Sequence, residues 1–594
     1  KALFKIASTI TNQTKENPMP PNNSLSELAA GFNNFFITKI TTIRQKLDTE
    51  PTTGDDIVPS YPSQPPPKLS YFEPASDEEI SKVIKHSATK SCPLDPIPTK
   101  LLKNCSGSLV PIIRQIVNAS LSSSSVPPEM KLAMVTPLIK KPSLDRIYKN
   151  YRPVSNLPYI SKIVEKVIAN RLLDHIKQHQ LDDPLQSAYK QGHGTETALL
   201  RVKNDLLMAM DGQKVALVIL LDLSAAFDTI DHTITLHRLH SHIGVSESAL
   251  NWFTSYLQDR KQYVSIEDQK SDISALKFGV PQGSVLGPIL FSIYLIPLGA
   301  IMISHGIEYH LYADDNQLYI IFKPAKSAEA VSKMESCVRD IKMWMVRNKL
   351  MFNDDKTEGI LIGTPQQLKK VNIPSVKIGD CNIQPTNAAR NLGVIFDTHL
   401  SMKPHVQTVA KNAWFHLRNL FQIHKCLSPE AAEILVHAFV TSRLDNSNSL
   451  LFGLPKSTLR PLQLVQNAAA RLVARKKIRE HITPVMISLH WLPLPYRIQY
   501  KILITAFKAI HSMAPKYICE LVTVQQNTRA LRSSKELRLS VPRTKNVTCG
   551  DASFRGGAPK LWNSLPVDIR NIVDFNDFKK QLKTILFTRA YGNV

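Results

Sequence analysis

Two apolar runs around an acidic pair form the clearest pattern in the chain. The runs extend from Ile307 to Leu311 and from Leu318 to Phe322, and Tyr312-Ala313-Asp314-Asp315 lies between them. Short apolar runs that flank a polar segment of a few residues predict two strands joined by a tight hairpin. The pattern therefore predicts a hairpin that presents two carboxylates at its tip.

A third carboxylate follows another strand pattern. Val215 to Leu221 is a continuous run of valine, alanine, leucine and isoleucine, which predicts a strand buried on both faces, and Asp222 comes directly after it. Adjacent carboxylates repel one another, so holding them ionised in a partly buried site is costly unless a cation neutralises them. Magnesium prefers oxygen ligands and is usually bound by one or two carboxylates together with substrate phosphates. The pattern indicates a magnesium site, although an ordinary surface turn is the alternative for the acidic pair alone.

Apolar residues recur at helical spacing on both sides of these strands. Leu25 to Leu47 is predicted to form one or two helices, with Ser24 and Ser26 as candidate N-caps. Thr49 to Lys68 is rich in proline, threonine and serine and predicts an extended linker. Further helices are predicted over residues 161–177 and 284–298.

Beyond Met402 the strand patterns fade, and apolar residues recur every three or four positions with basic residues on the opposite side. Such a helix either contacts a nucleic-acid backbone or presents an ordinary solvated face. The basic positions are Lys411, Arg418 and Lys425.

The charge balance favours a polyanionic partner. The 594 residues include 73 lysines and arginines against 49 aspartates and glutamates, a formal charge of +24. Neutralisation of a phosphate backbone supplies much of the free energy of nucleic-acid binding, although a ribosomal or membrane-surface protein would fit the charge equally well. A dense basic cluster is a candidate site for template RNA or a nuclear address, with plain surface as the alternative. Its members are Arg471, Arg475, Lys476, Lys477 and Arg479.

Cysteine usage and hydropathy indicate a reducing, aqueous compartment. The seven cysteines are scattered without a Cys-x-x-Cys pair, which argues against structural zinc and against a disulfide framework. No apolar run is expected to approach membrane-spanning length, and the N-terminus has no signal-peptide pattern. We therefore expect a soluble, intracellular protein without a membrane partner, in the nucleus and the cytoplasm.

Three blocks around the aspartates resemble the palm of reverse transcriptases. They are Asp222-Leu223-Ser224-Ala225-Ala226-Phe227-Asp228, Gly279-Val280-Pro281-Gln282-Gly283-Ser284-Val285-Leu286-Gly287-Pro288 and Tyr312-Ala313-Asp314-Asp315. In that family the first block carries a metal-binding aspartate followed five positions later by an aromatic residue, the second carries Pro-Gln-Gly, and the third is the Tyr-x-Asp-Asp turn. Further blocks resemble LINE-type (non-LTR) retrotransposons of the jockey and chicken-repeat kind. These are Val135 to Lys141, Asn150 to Ser155, Leu185 to Leu200, Leu350 to Thr357, Asn391 to Val394 and Leu462 to Arg471.

The resemblance implies an α+β fold of the right-hand polymerase type, with fingers, palm, a helical thumb and a helical C-terminal region. An endonuclease usually precedes the polymerase in such elements, and residues 1–120 offer no comparable catalytic set, so nicking activity is expected to come from elsewhere. The implied parts are an N-terminal helical segment (1–48), a Pro-rich linker (49–70), an N-terminal extension (71–129), fingers and palm (130–400), thumb (401–520) and a C-terminal region (521–594).

The resemblance also implies roles for particular side chains. Asp222, Asp314 and Asp315 would bind two Mg²⁺ ions, with Mn²⁺ as a substitute. Lys356 would donate a proton to the leaving pyrophosphate, and a solvated lysine is the alternative. Phe227 would lie under the deoxyribose and exclude a 2′-hydroxyl, and a core aromatic is the alternative. The other expected substrate contacts are Gln282 and Gly283 to nucleotide and template, Lys140 and Arg152 to the triphosphate, and Tyr312 beside the metal site.

The implied function is RNA-directed DNA synthesis, in which a dNTP extends a DNA primer on an RNA template. The rival is a catalytically inactive nucleic-acid-binding remnant of the same fold. Three intact aspartates favour the enzyme, because a binding module gains nothing from carboxylates that face an anionic ligand. Ala188-Tyr189-Lys190 departs from the expected Gly-Phe-Arg wording, and the lysine is expected to weaken the grip on template or nucleotide.

Overall fold

The structure is a computed structural model that describes residues 19–21, 24–50, 65–379, 381–525 and 536–592. The helices are α1 (Leu25–Thr49), α2 (Asp77–His86), α3 (Thr99–Asn104), α4 (Ser106–Ser122), α5 (Pro128–Lys131), α6 (Tyr159–His179), α7 (Thr195–Asp211), α8 (Ala226–Thr229), α9 (His232–Ser241), α10 (Glu247–Leu257), α11 (Gly287–Tyr294), α12 (Ile296–Ser304), α13 (Ser327–Arg347), α14 (Pro365–Leu368), α15 (Lys403–Ile423), α16 (Pro429–Val436), α17 (Ser442–Asp445), α18 (Lys456–Ala474), α19 (Ile482–Ser488), α20 (Leu494–Ile510), α21 (Lys516–Cys519), α22 (Phe554–Asn563), α23 (Val567–Arg570) and α24 (Phe575–Tyr591). The strands are β1 (Leu132–Ile139), β2 (Tyr151–Asn156), β3 (Val215–Leu221), β4 (Leu223–Ser224), β5 (Arg260–Ile266), β6 (Gln269–Lys270), β7 (Ser274–Leu276), β8 (Glu308–Tyr312), β9 (Asp315–Phe322), β10 (Met351–Phe352), β11 (Glu358–Ile362), β12 (Val376–Ile378), β13 (Cys381–Ile383), β14 (Ala388–Asn391) and β15 (Val394–Asp397).

The central sheet is antiparallel and has the strand order β11–β3–β9–β8. Side chains alternate between the faces of a strand, so the odd-numbered residues of β3 from Val215 to Leu221 enter one hydrophobic core. Ala216 and Val218 enter a second core on the opposite face. The predicted strand is confirmed with its bounds, and it is buried on both faces as expected.

The two cores are filled by different parts of the chain. The first core contains apolar residues of α2, α4, α6 and helices α9 to α13. The second contains residues of α7, the β14–β15 hairpin and helices α15 to α24. The central sheet is therefore a layer between two helical layers, and the mixed α+β architecture expected from the sequence is observed.

A separate sheet has the strand order β2–β1–β5–β6, and β7 also pairs with β5. We call it the first sheet because it contains the first two strands of the chain. β1 and β5 are parallel, and the other pairs are antiparallel. Helix α1 covers this sheet, since Phe32 and Phe36 are buried in a core shared with β1, β2 and β5. The predicted N-terminal helix is thus confirmed as one long helix. Ser24 is its N-cap residue without a capping side-chain hydrogen bond, and most of the predicted linker lies outside the described residues.

The helix predicted over residues 284–298 is wrong as a single element. It divides into α11 and α12 around Leu295, because Pro297 lies in the first turn of α12 and its ring and missing N–H cannot continue a preceding helix. The helix predicted over residues 161–177 is confirmed as α6.

Helices α11 and α12 also correct the hydropathy expectation. The 18 residues Gly287–Ser304 have a mean hydropathy of 1.9, so one stretch does approach membrane-spanning length and composition. Of this stretch, 67% is buried inside the protein, where it fills the first core. That burial is typical of core helices.

Candidate active site

The β8–β9 hairpin presents the acidic pair at its tip. Tyr312 pairs with Asp315, so Ala313 and Asp314 form a two-residue turn between the strands. Ala313 has a φ of 57°, a left-handed conformation that short hairpin turns use and that residues with a Cβ adopt at a cost. The predicted hairpin is confirmed, and its tip requires support from the surrounding structure.

Gln186 supplies that support. Its Oε1 accepts hydrogen bonds from the backbone N–H groups of Ala313 and Ala188, each at 3.0 Å. The residues on either side of Gln186 exchange backbone hydrogen bonds with Leu311 of β8. Gln186 is buried, and sequence reasoning missed it as a site residue. Its place in the block that begins at Leu185 was the available signal.

Asp222 lies beside the hairpin tip. Leu221, the last residue of β3, pairs with Asn316 of β9. The next position in this antiparallel register sets Asp222 opposite Asp315. The central sheet therefore brings the third predicted carboxylate to the edge that carries the other two.

Asn353 and Lys356 hold the Asp222 side chain. Asp222 Oδ2 accepts a hydrogen bond from Asn353 Nδ2 at 2.9 Å and forms an ion pair with Lys356 Nζ at 2.9 Å. Both residues follow β10, which pairs with β4 directly after Asp222. Lys356 thus lies at the site, as its predicted role requires.

Negative charge exceeds positive charge at this edge. Burial, and then the charge of Asp222, raise the pKa of Asp314. Asp315 is exposed, but neighbouring protein displaces part of its hydration, and with the charges of Asp314 and Asp222 this raises its pKa to about 6. The charge of Lys356 opposes both shifts without cancelling them. The three carboxylates therefore act on one another.

The donor atoms at this edge suit a divalent cation, but the side chains do not form a closed cage. Carboxylate oxygens with surplus negative charge match a hard ion such as Mg²⁺. Across the described part of the chain, however, no three Asp, Glu, His or Cys side chains are grouped so that they could hold a metal ion. All seven cysteines are free. A cation here would need oxygens from a substrate as well as from the aspartates.

Phe227 borders the site from helix α8. Its ring stacks on Phe291 with centroids 4.6 Å apart, and it meets the ring of Tyr189 edge-on at 6.5 Å. The side chain is half-buried against the first core. Phe227 therefore packs against the core through Phe291 and contacts Tyr189 on another side.

Gln282 and Gly283 fix the Pro-Gln-Gly loop against neighbouring elements. Gln282 Nε2 donates to both carboxylate oxygens of Asp228 at 2.8 Å, and its backbone carbonyl accepts from Ser155 N–H at 2.9 Å. Gly283 has a φ of 138°, and a Cβ there would overlap the carbonyl oxygen of Ser155. The glycine allows the loop to pack closely on β2, and Asp228 orients the Gln282 amide.

Asp228 is a second residue that sequence reasoning did not single out. Loss of hydration raises its pKa to about 6, although the hydrogen bond from Gln282 and the charge of Lys39 act in the opposite direction. Its position directly after Phe227 was the available signal.

Lys140 and Arg152 lie together at one end of the first sheet. Arg152 of β2 pairs with Leu138 of β1, and Lys140 directly follows the last residue of β1. Its Nζ donates a hydrogen bond to the backbone carbonyl of Lys149 at 2.8 Å. Partial loss of hydration, and then the charges of Lys39 and Lys356, lower the pKa of Lys140. Lys140 is therefore within electrostatic range of the lysine that pairs with Asp222.

Tyr312 and Tyr189 flank the hairpin tip. Tyr312 is half-buried, and Tyr189 is 50% exposed with a φ of 62°. Burial, and then the charge of Asp314, raise the pKa of Tyr189, which places this tyrosine beside the acidic pair. Sequence reasoning noted the segment but not this side chain. Lys190 is ion-paired with Asp182 at 2.5 Å, so its ammonium group is engaged within the protein.

Two basic surfaces were expected in the second half of the chain, one on α15 and one at residues 471–479. They differ in how far acidic side chains neutralise their charges. Lys411 and Arg418 of α15 are exposed, opposite its buried apolar side, and Lys425 is exposed just beyond the end of the helix. In the cluster of residues 471–479, Glu480 forms an ion pair with Lys476 at 3.0 Å and accepts a hydrogen bond from Lys477 N–H at 2.8 Å. Contact of either surface with nucleic acid stays a prediction.

Comparison with known proteins agrees with this geometry. Residues 139–396 match the family model described as "Reverse transcriptase (RNA-dependent DNA polymerase)". The chain is similar to the "Probable RNA-directed DNA polymerase from transposon BS" of Drosophila melanogaster, with 26% identity over 68% of this chain and 45% of the relative. A second relative, the "Probable RNA-directed DNA polymerase from transposon X-element" of the same species, is 25% identical over 73% of this chain and 47% of its own length. The "RNA-directed DNA polymerase from mobile element jockey" of Drosophila funebris is 24% identical over 60% of this chain and 40% of its own length.

The chain spans about half the length of the first two of these relatives. The family match begins at the last residue of β1 and ends within β15, so it contains the three aspartates and every predicted substrate-binding residue. Residues 139–396 are therefore a reverse transcriptase domain, and the resemblance to LINE-type (non-LTR) retrotransposons is confirmed.

Proposed function

We propose that this chain is an RNA-directed DNA polymerase of a LINE-type retrotransposon. The observation that carries the proposal is the register of the central sheet, which sets Asp222 opposite Asp315 at the tip that also bears Asp314. A surface that only binds nucleic acid gains nothing from carboxylates at one edge, whereas nucleotidyl transfer uses them to hold cations. In this proposal the first sheet belongs to the fingers, the central sheet to the palm and residues 401–520 to the thumb.

Asp222, Asp314 and Asp315 would hold two Mg²⁺ ions, or Mn²⁺ in their place. Bound there, such ions lower the pKa of a primer 3′-hydroxyl and neutralise charge on the triphosphate. The protein's own part is to keep the carboxylates in register. Gln186 fixes the turn, and Asn353 orients the Asp222 side chain.

Other side chains would bind and orient the substrates. Lys140 and Arg152 lie at the same end of the first sheet and would bind the triphosphate, for which the planar guanidinium is well suited. Phe227 would lie under the deoxyribose, with Tyr312 near it. Gln282 and Gly283 would contact nucleotide and template through the loop that Asp228 supports.

Lys356 would act as the proton donor to pyrophosphate. Its ammonium group is 2.9 Å from Asp222 Oδ2, so it is within reach of a group bound at that carboxylate. Lys356 is 66% exposed, which leaves its side chain free to reorient towards a leaving group.

An inactive nucleic-acid-binding remnant is the second candidate, and one contact favours it. Lys356 forms an ion pair with Asp222. Among the described residues, no three acidic, histidine or cysteine side chains are grouped so that they could hold a metal ion. A site that has lost its cations could keep this arrangement, and the net charge of +24 serves both candidates.

Primer extension distinguishes the two candidates. The full chain should copy poly(rA) from an oligo(dT) primer only when Mg²⁺ is present. Asp314→Asn should lower the rate about a thousandfold, because a charge that stabilises the transition state is lost. Filter binding of the RNA/DNA hybrid should stay within about twofold.

The matched control is Asp568→Asn, which removes an exposed carboxylate from the C-terminal region. Equal extension by Asp314→Asn and wild type would exclude the metal role. Wild-type protein that binds the hybrid but extends no primer would identify the chain as the remnant.

A further inference from the structure

Helix α1 spans two parts of the molecule. Its first half packs on the first sheet, where Phe32 is fully buried. Its second half reaches α13, where Ile43 and Leu47 pack against Val346. The helix therefore bridges the first sheet and the elements that support the central sheet.

Arg44 fixes the second half of α1 beside the proposed nucleotide site. Its buried guanidinium forms an ion pair with Asp231 at 2.8 Å and lies 4.2 Å from the centroid of the Phe278 ring. Asp231 follows α8, which carries Asp228, and Phe278 precedes the loop that carries Gln282. This end of α1 is thus attached to two segments that border the site.

Lys39 lies on the inward side of α1 between these two attachments. It is seven residues after Phe32 and four before Ile43, a spacing that puts all three on one side of an α-helix. Phe32 and Ile43 are 0% and 7% exposed. Lys39 is exposed, and it makes no hydrogen bond or ion pair with any residue that the structure describes. Its exposure within this buried stripe means that no described part of the protein covers the Lys39 side chain.

Two residues of the proposed site respond to the charge of Lys39. Its positive charge lowers the pKa of Asp228, against the larger effect of burial. Its charge also lowers the pKa of Lys140, after loss of hydration and together with Lys356. Asp228 belongs to α8 and Lys140 follows β1, so Lys39 is within electrostatic range of two separate walls of the site.

From this placement we propose that Lys39 is a nucleotide-binding residue whose ammonium group, together with Lys140, contacts the phosphates of an incoming nucleoside triphosphate. The proposal rests on the proposed polymerase function. The repulsion between the charges of Lys39 and Lys140 turns into a favourable interaction when a polyanion binds between them. The N-terminal helix then contributes directly to the substrate site of the domain that it covers.

Single-nucleotide incorporation of dTTP on poly(rA)/oligo(dT) by the full chain tests the proposal. Lys39→Ala should raise the KM for dTTP about tenfold, the loss expected for one charge-assisted contact. kcat and hybrid binding should stay within about twofold, because the contact is present in ground state and transition state alike. Lys39→Arg should keep most of the wild-type KM, since the charge is retained.

The matched control is Lys46→Ala, which removes the same charge from an exposed position seven residues further along α1. A KM for dTTP in Lys39→Ala within about twofold of wild type overturns the proposal. Weaker hybrid binding with an unchanged KM also overturns it, because Lys39 would then contact the nucleic-acid backbone. Thermal unfolding reports whether α1 stays docked, and Lys39→Gln repeats the test if Lys39→Ala unfolds earlier.

Ultraviolet cross-linking of radiolabelled dTTP separates this proposal from the polymerase function. If wild-type protein extends no primer, labelling that is lost in Lys39→Ala and kept in Lys46→Ala still supports a nucleotide contact. Equal labelling of the two variants, or no labelling of the wild type, overturns it.

Discussion

The front edge of the central sheet and its back face differ in how their charged residues are partnered. The front edge comprises Asp222 and the hairpin tip with Asp314 and Asp315. There burial and the charge of Asp222 raise the pKa values of Asp314 and Asp315, and Lys356 offsets only part of this effect. The back face is helix α7, which packs on the side of the sheet that bears Ala216 and Val218.

On the back face, buried or half-buried charged side chains are matched by groups from the C-terminal half. These contacts join Glu196 to Ser449 and Lys501, Lys203 to the carbonyl of Leu450, and Asp211 to the N–H groups of Lys545 and Asn546. Burial of a charge is costly unless hydrogen bonds and opposite charges replace its hydration. The back face is therefore built for docking helices, whereas the front edge keeps unbalanced charge that a ligand can neutralise.

Asp222→Asn tests the front edge and should give the largest effect. Primer extension is expected to fall about a thousandfold, because the substitution removes a charge that we propose holds the metal ions. The melting temperature in EDTA should not fall, since the substitution relieves repulsion between carboxylates and the ion pair that it removes, to an exposed lysine, contributes little to stability. The amide oxygen of the new asparagine can still accept the hydrogen bond from Asn353. A melting temperature several degrees lower would make Asp222 a structural residue and would break the comparison.

Asp211→Ala tests the back face. The buried carboxylate accepts two backbone hydrogen bonds from residues 545 and 546, and its removal leaves both N–H groups without a partner. We expect the free energy of unfolding, measured in urea, to fall by about 2 to 4 kcal/mol. Extension activity per folded molecule should stay within about twofold of wild type. Asp568→Ala is the control with an exposed carboxylate, and an equal loss there would deny Asp211 a special role.

The sequence predicted the front edge better than the back face for a physical reason. Strand patterns and the acidic turn are local, so the run that ends at Leu221 and the hairpin at residues 312–315 could be read directly. The pairing of Leu221 with Asn316, which sets Asp222 opposite Asp315, depends on contacts between distant segments. The strand pattern suggested that Asp222 completes the acidic site, but it did not predict this register.

The missed residues share a different property. Gln186 and Asp211 act through single side chains that bond to the backbone of remote segments. Lys39 is exposed inside an otherwise apolar helical stripe, and the role that we propose for it depends on which segments lie near it in the fold. Neither composition nor periodicity reports such contacts, because they depend on the tertiary fold.

Phe227→Val sharpens the comparison at the border between the front edge and the first core. If the ring lies under the sugar, selectivity for dTTP over UTP, expressed as a ratio of kcat/KM values, should fall by about tenfold to a hundredfold. If the ring only packs on Phe291, the melting temperature should fall while selectivity is retained. Phe415→Val, at a position that is 51% exposed, controls for loss of an aromatic ring elsewhere.

Lys203→Met gives the smallest expected effect and tests the back face from the opposite direction. Burial lowers the pKa of Lys203 to about 8, and its ammonium group donates only to the carbonyl of Leu450 among the described residues. An unfolded chain holds this proton up to about pH 10.4, so stability should rise with pH between about 8 and 10 and stay at its lower level below pH 8.

The lowered pKa of Lys203 corresponds to a loss of about 3 kcal/mol in the free energy of unfolding at neutral pH. The methionine variant regains this free energy but loses about 1 kcal/mol with the hydrogen bond to Leu450. Lys203→Met should therefore stabilise the protein at pH 7 by about 1 to 2 kcal/mol and abolish the rise between pH 8 and 10. Urea unfolding at pH 7 and across the range from about pH 8 to 10 measures both effects. The exposed Lys580→Met is the control. Destabilisation at pH 7 would show that the ammonium group is needed at the junction with the C-terminal helices, because its hydrogen bond would then outweigh the cost of burying its charge.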